Sequence, residues 1–288
     1  AKFPSRTAAD RNFIEGYQMS HFLSARVDPG EVLHDFRNPK DGDLGNVYRL
    51  RLGLPYIEKE NQLVENDIFE CCGTDAMENS SKVSCAMGWD VGDPFHVVIG
   101  IRTGQEKFEV LKVLRLPAVT AWNDLHDLAE RFRVRYGVGD LNPEATASRA
   151  FRAREKHWSI RLCWYAENSR NDQQFNENTG VLTVFRTGIC DKTHNLFATR
   201  GIVLPRRGEE LNVYAKQCCR IFKVGEVDKK TGTYFYRYSG GENKKARGDH
   251  FYHATNYFVL AAANMPIASR RGFEEEPQQD AISEYTRF

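Results

Sequence analysis

Three apolar runs lie almost end to end between residues 83 and 116: "VSCAMGWDV" (83–91), "FHVVIGI" (95–101) and "FEVLKVLRL" (108–116). Each has strand character, and the joins between them are only a few residues long. Parallel strands need a crossover of a dozen or more residues, so runs this tightly connected pair as an antiparallel meander. The rest of the chain has to be built onto that meander. "TAWNDLHDLAERFRVRYG" (120–137) puts Leu125, Leu128, Ala129 and Phe132 on one helical face. A short strand ending at Asp140 follows, then a loop and a helix entered at Pro143, and "SIRLCWYA" (159–166) is a further strand. Helices interleaved with strands after an opening meander predict an α/β domain whose mixed sheet is flanked by helices.

Outside this region the pattern is weaker. Residues 1–66 read as a polar, loop-rich N-terminal extension with short helical pieces. One is "DPGEVLHDF" (28–36), with Asp28 as N-cap, Pro29 at the first helical position and Leu33 and Phe36 facing inward. "TGVLTVFRT" (179–187) reads as a strand and "FATRGIVLP" (197–205) as a loop with a short strand. The segment around "DKKTGT" (228–233) predicts a β-hairpin insertion, and "GDHFYHATNYFVLAAANM" (248–265) a helix with Ala254, Tyr257, Phe258 and Ala261 as its buried stripe. The main domain thus runs from 67 to 265. Residues 266–288, with Arg270, Arg271 and the acidic run Glu274–Glu276, read as a disordered tail.

Composition narrows the partners. The 288 residues are 41% hydrophobic, with no apolar run long enough for a membrane span, and a membrane is therefore not expected among the partners. Seven cysteines include the vicinal pairs Cys71–Cys72 and Cys218–Cys219. No CxxC pair marks a zinc site and no disulfide framework is indicated, so reduced structural thiols in an intracellular compartment are expected. The chain opens "AKFPSR" without an initiator Met, which reads as a processed product or an excised fragment. Net charge is only +1, but the basic residues are clustered. "SRAFRAREKHWSIR" (148–161) is one cluster. The hairpin segment is the other, interleaving Lys229, Lys230, Lys244, Lys245 and Arg247 with Tyr234, Phe235, Tyr236 and Tyr238. Basic residues among aromatics suit a phosphate backbone and exposed bases; a solvated helix face and an ordinary hairpin fit the same pattern.

Three aspartates stand at chain positions where a sheet would gather them. Asp90 ends the first strand of the meander, Asp140 ends a later strand, and Asp249 begins the last helix. Neighbouring strands would put the first two at one end of the sheet, and a helix packed across it brings the third. Carboxylates so gathered raise one another's pKa unless a cation neutralises them. Mg²⁺ and Mn²⁺ take oxygen ligands, and two such ions about 4 Å apart stabilise the attacking and leaving oxygens of phosphodiester cleavage. Aspartates at strand ends also cap turns, and both readings stay open on spacing alone. Asp93, in the turn after Asp90, and His253, four residues after Asp249 on the same helix face, are accessory candidates. His250 reads as structural and His96 as a sheet residue.

The stretches "GWDVGDPFHVVIG" (88–100), "VGDLNPE" (138–144) and "GDHFYHATNYFVLA" resemble, in order, the acidic motifs of the nuclease domain of tailed-bacteriophage large terminase subunits. "VFRTGICDKTHNLF" (184–197) is similar to the stretch after the second acid, and "LGNVYRLRLGLPYIE" (44–58) to the stretch ahead of the domain. The resemblance spans roughly residues 82–262. It implies a ribonuclease-H-like fold in which Asp90, Asp140 and Asp249 hold two Mg²⁺ or Mn²⁺ ions. The implied activity is endonucleolytic cutting of concatemeric viral DNA during genome packaging, in the host cell cytoplasm. Double-stranded DNA, the ATPase domain of the same full-length protein, the portal and the small terminase subunit are the implied partners. No G-x-x-x-x-G-K-[ST] phosphate loop occurs, so ATP hydrolysis is not expected of this chain. The alternatives are another ribonuclease-H-like phosphoryl-transfer enzyme of resolvase or transposase type, and a non-catalytic DNA-binding or motor-docking module.

Overall fold

The meander is present as β1 (Cys85–Asp90), β2 (Phe95–Gly104) and β3 (Lys107–Leu116), antiparallel throughout. It forms part of an eight-stranded mixed sheet in a computed structural model that describes residues 26–38, 47–53, 62–167, 172–227, 234–240 and 248–268. Contacts divide the chain into Ala1–Gln62 and Leu63–Phe288. Most of the tail expected to be disordered lies outside the described residues, as do Lys229, Lys230, Lys244, Lys245 and Arg247.

In the first unit, α1 (Pro29–Arg37) starts as its sequence predicts: Asp28 Oδ1 accepts the Gly30 N–H at 2.8 Å and Pro29 opens the helix. Its inward face differs from expectation. Val32 is buried, whereas Leu33 and Phe36 are 48% and 38% exposed. Nine residues give the helix room for only a narrow apolar stripe, and here that stripe is centred on Val32.

In the second unit, α2 (Glu65–Phe69) precedes the sheet, and α3 (Ala121–Arg131) follows β3. The helix is shorter than the periodicity predicts. The chain turns at Arg133, in the left-handed region at φ 51°, and β4 (Val134–Asp140) begins at once. β4 lies parallel to β1, and β5 (Ser159–Ala166) parallel to β4 after α4 (Ala145–Arg154). β6 (Gln173–Asn176) and β7 (Val181–Phe185) complete that side, and β8 (Ile202–Val203) pairs with β3 on the other. The sheet order is β6-β7-β5-β4-β1-β2-β3-β8. An antiparallel meander continued by parallel strands is the mixed sheet expected of a ribonuclease-H-like domain.

Two helices were not legible in the pattern. The strand expected over 179–187 ends at Phe185, and α5 (Arg186–Ala198) takes the next thirteen residues, among them the start of the stretch read as a loop. α6 (Glu209–Cys218) follows β8. The hairpin is where it was expected, as β9 (Phe222–Val227) and β10 (Tyr234–Ser239). The last helix, α7 (His250–Ala262), is buried almost all round, not along one stripe.

Side-chain alternation divides the core between the sheet's two faces. Cys85, Met87 and Trp89 pack under α3 and α4 with Phe132, Phe151 and Trp158. Ala86, Val98 and Val138 pack on the opposite face with α5, α6 and α7. Gly88 falls on this second face, and α7 lies directly on it: a Cβ at Gly88 would overlap the Phe258 N and Ala254 O backbone atoms. A backbone cannot yield as a flexible side chain does, so Gly88→Ala is expected to destabilise the protein by about 2–4 kcal/mol. Urea unfolding checks this as a lower midpoint at unchanged slope.

Candidate active site

β1 and β4 run parallel with Trp89 opposite Gly139, so the next residues, Asp90 and Asp140, stand side by side at the carboxyl ends of adjacent central strands. Gly139 is needed for that register, because a Cβ there would overlap the Trp89 indole. Asp90 points to the face that carries α7, continuing the alternation of Ala86 and Gly88. The close seat of α7 on Gly88 then brings the helix's first turn over the strand ends. Asp249 occupies the N-cap, its carbonyl accepting the Tyr252 and His253 N–H groups at 3.0 and 3.2 Å. Asp90 and Asp249 are both 5% exposed.

Their electrostatics differ. Burial, reinforced by the negative charge of Asp90, pushes Asp140 up to about 7, although the Asn142 and Leu141 N–H groups and His253 act against it. Its Oδ1 accepts the Asn142 N–H at 3.1 Å. Burial would raise Asp249 too, but the hydrogen bond and charge of His253 outweigh it and hold that carboxyl well below the usual range. His253 Nε2 lies 3.5 Å from Asp249 Oδ2, and its Nδ1 is 3.3 Å from the Tyr165 hydroxyl. Asp93 sits exposed in the turn between β1 and β2.

His250 departs from its structural reading. Its Nδ1 is 2.7 Å from Asp90 Oδ2, and that hydrogen bond raises the imidazole's pKa despite its burial. The first turn of α7 thus gives each of two acids a histidine: His250 for Asp90 and His253 for Asp249. The spacing i, i+3 on one helix is the signal that could have paired them. His96 is a buried sheet residue, as read, pushed down to about 3 by burial and by the charge of His250.

The hairpin is tied to α5, which starts at the same end of the sheet. Asp191 Oδ1 accepts from Lys223 Nζ at 2.8 Å and from the Tyr238 hydroxyl at 2.9 Å. Thr187 Oγ1 donates to the Tyr236 carbonyl at 3.3 Å.

Among the described residues, no set of three or more His, Cys, Asp or Glu donors is drawn together as for one metal ion; two of the acids are turned to histidines instead. The donor chemistry still fits a hard divalent cation. The three acids offer only oxygen, Asp90 keeps a second oxygen beside the one His250 engages, and the charge pushing Asp140 up is the kind a cation would offset.

No protein-family model matches the chain, and no curated protein does. Among solved structures, it is similar to the large terminase of a thermophilic bacteriophage, at 12% identity and a TM-score of 0.41 over 82% of this chain and 52% of that one. The ADP complex of the same terminase gives 14% and 0.43, over 83% and 53%. A mutant nuclease domain of the large terminase subunit gp2 of bacterial virus Sf6, solved with manganese and beta-thujaplicinol, gives 11% and 0.44 over 70% of this chain and 98% of that one. The chain spans about half the length of the thermophilic phage terminase. At these values the likeness concerns the fold alone, and the chemistry has to be argued from the acids.

Asp140 makes stability depend on pH with a definite sign. Its folded pKa lies above the unfolded value of roughly 3.9. The folded state therefore binds the proton more tightly, and stability falls as pH rises from about 4 through 7. Asp140→Asn removes that loss. In metal-free buffer the variant is expected to melt several degrees above the parent at pH 8, with the gap closing toward pH 4. Thermal melts across that pH range are the check, and parallel curves would contradict the shift.

Proposed function

We propose that this chain is the nuclease part of a phage-type large terminase, a divalent-metal-dependent endonuclease that cuts concatemeric viral DNA during packaging. One observation carries the reading: the β1–β4 register sets Asp90 beside Asp140 at the strand ends, under the helix turn that carries Asp249. A pair of abutting carboxylates at the ends of central strands is costly to bury unless charge chemistry is done there.

Asp90, Asp140 and Asp249 would hold two Mg²⁺ or Mn²⁺ ions. When bound, such ions supply an activated water and stabilise the leaving oxygen of the phosphodiester. The chain's own residues shape and charge the place where this happens. Asp90 and Asp140 provide the negative floor, His250 and His253 hold the acids' orientation, and the wall of α7 keeps one side of the site dry. The hairpin is fixed to α5 through Asp191; Lys229 and Lys230, between its strands in the sequence, and Lys244, Lys245 and Arg247, after its second strand, would follow the DNA backbone. In an assembled motor the partners would be double-stranded DNA, the ATPase domain of the full-length protein, the portal and the small terminase subunit, in the host cytoplasm. No described helix is long and apolar enough to cross a membrane.

Plasmid nicking in Mn²⁺ tests the acids. Asp90→Asn, Asp140→Asn and Asp249→Asn are each expected to lower nicking at least 100-fold while the fold is kept, because Asn preserves shape and removes charge. Asp93→Asn is expected to cost less than tenfold. Near-parental nicking by any of the first three would remove that residue from the site, and an intact plasmid with the parent chain would favour a non-catalytic DNA-binding module.

DNA binding gives a second, independent measurement. Affinity is expected to be insensitive to sequence and to fall steeply with salt, since phosphate contacts release counterions. Replacing Lys229, Lys230, Lys244 and Lys245 together should flatten that salt dependence. An unchanged slope would move the DNA track off the hairpin.

A further inference from the structure

We propose that His96 and Gln217 are positioning residues for the acid site: together they fix the ring of His250 and, through it, one oxygen of Asp90. The proposal rests on the nuclease reading above and extends it to residues that touch neither acid's carboxylate. Gln217 is on α6, and its Oε1 accepts the Phe251 N–H at 2.9 Å. That N–H belongs to the first turn of α7, where backbone donors lack intrahelical acceptors. Phe251 thereby decides which way the Gln217 amide faces. The amide nitrogen is left pointing at His96 Nε2, 3.0 Å away. An amide nitrogen only donates, so His96 Nε2 has to be the unprotonated acceptor.

The proton of His96 is then on Nδ1, directed toward the Pro94 carbonyl in a geometry short of a full hydrogen bond. The ring is also held in orientation. The Phe251 ring meets it edge-on at 4.7 Å, and His250 stacks on it at 4.9 Å and 17°. His96 is thus a flat, neutral floor under His250, whose Nδ1 reaches Asp90 Oδ2 at 2.7 Å. The order Gln217, His96, His250, Asp90 links α6, β2, α7 and β1. Partners one step behind metal-binding groups commonly tune affinity by about 10–100-fold.

A purely packing role for Gln217 and His96 makes a different prediction, and two variants separate them. Gln217→Met keeps the volume and removes the donor. Gln217→Glu keeps the shape and offers His96 an acceptor in place of a donor, which favours a proton on Nε2. Long-range ¹H–¹⁵N spectra of histidine-labelled, metal-free chain read the tautomer directly. The parent is expected to show His96 protonated on Nδ1, with the Nε2-protonated form gaining in both variants. Mn²⁺ affinity, read from the metal-induced rise in melting temperature and from half-maximal nicking, is expected to weaken at least tenfold in both. Nicking at saturating Mn²⁺ should change less, and the metal-free melting point of Gln217→Glu should stay near the parent's.

A parent with His96 protonated on Nε2 overturns the proposal, as do variants that bind Mn²⁺ as tightly as the parent. A parent chain that binds no Mn²⁺ overturns the nuclease reading and this extension with it. That outcome is seen in the parent alone, so the two failures are distinguishable.

Discussion

The close seat of α7 on β1 is the constraint from which the rest of this structure follows. A helix normally stands off a sheet by the thickness of the side chains that fill the gap. At Gly88 the gap is closed, and the helix backbone meets the strand where any Cβ would intrude. That approach explains why α7 is buried nearly all round and so apolar: it is a core element with sheet below and α5 and α6 beside it. It also fixes the height and direction of the helix's first turn. With the helix further out, Asp249, His250 and His253 would be surface residues with no defined relation to the strand ends.

The site then becomes a problem of uncompensated charge. Asp90 and Asp140 are forced together by strand register, a backbone property that side-chain rearrangement cannot relax. Only one of them has a histidine partner in place. His250 holds Asp90, and Asp140, through its burial first and the neighbouring Asp90 charge second, is pushed up to about 7 while Asp249, with its own histidine, is held low. Acids with such divergent environments at one end of a sheet are unusual in a structural core and characteristic of sites where charge is handled.

How far this was legible in the sequence depends on the range of the interaction. The meander was legible because its connections are short, and short connections leave few topologies. The placement of Asp90 and Asp140 at strand ends and of Asp249 at a helix start was legible because strand ends and helix starts are local signals. α5 was not legible: "RTGICDKTHNLFA" has little amphipathic pattern, since Thr187 and Thr193 share its buried side with Ile189, Cys190, Leu196 and Phe197, and polar residues on the buried side blur the periodicity that marks a helix. Leu33 and Phe36 failed because a nine-residue helix has only a narrow buried stripe, and sequence alone did not place that stripe on Val32. His250 was misread because its partner is 160 residues away, and its i, i+3 spacing to His253 was the one local hint of a shared role.

A glycine that admits a helix backbone and a glycine that admits an indole lie on adjacent strands, Gly88 on β1 and Gly139 on β4, each next to or near the acid its strand presents. Gly139 lets Trp89 fill the face under α4, which locks the β1–β4 register from below, while Gly88 lets α7 close the face above. The two faces of the sheet therefore constrain the same pair of carboxylates from opposite sides. Neither side chain of the acid pair is free to drift from the other, and their mutual repulsion is kept as a property of the fold. The energy of holding these two strand-end acids beside each other is carried by the hydrophobic packing of Trp89, Phe151, Trp158 and Phe258.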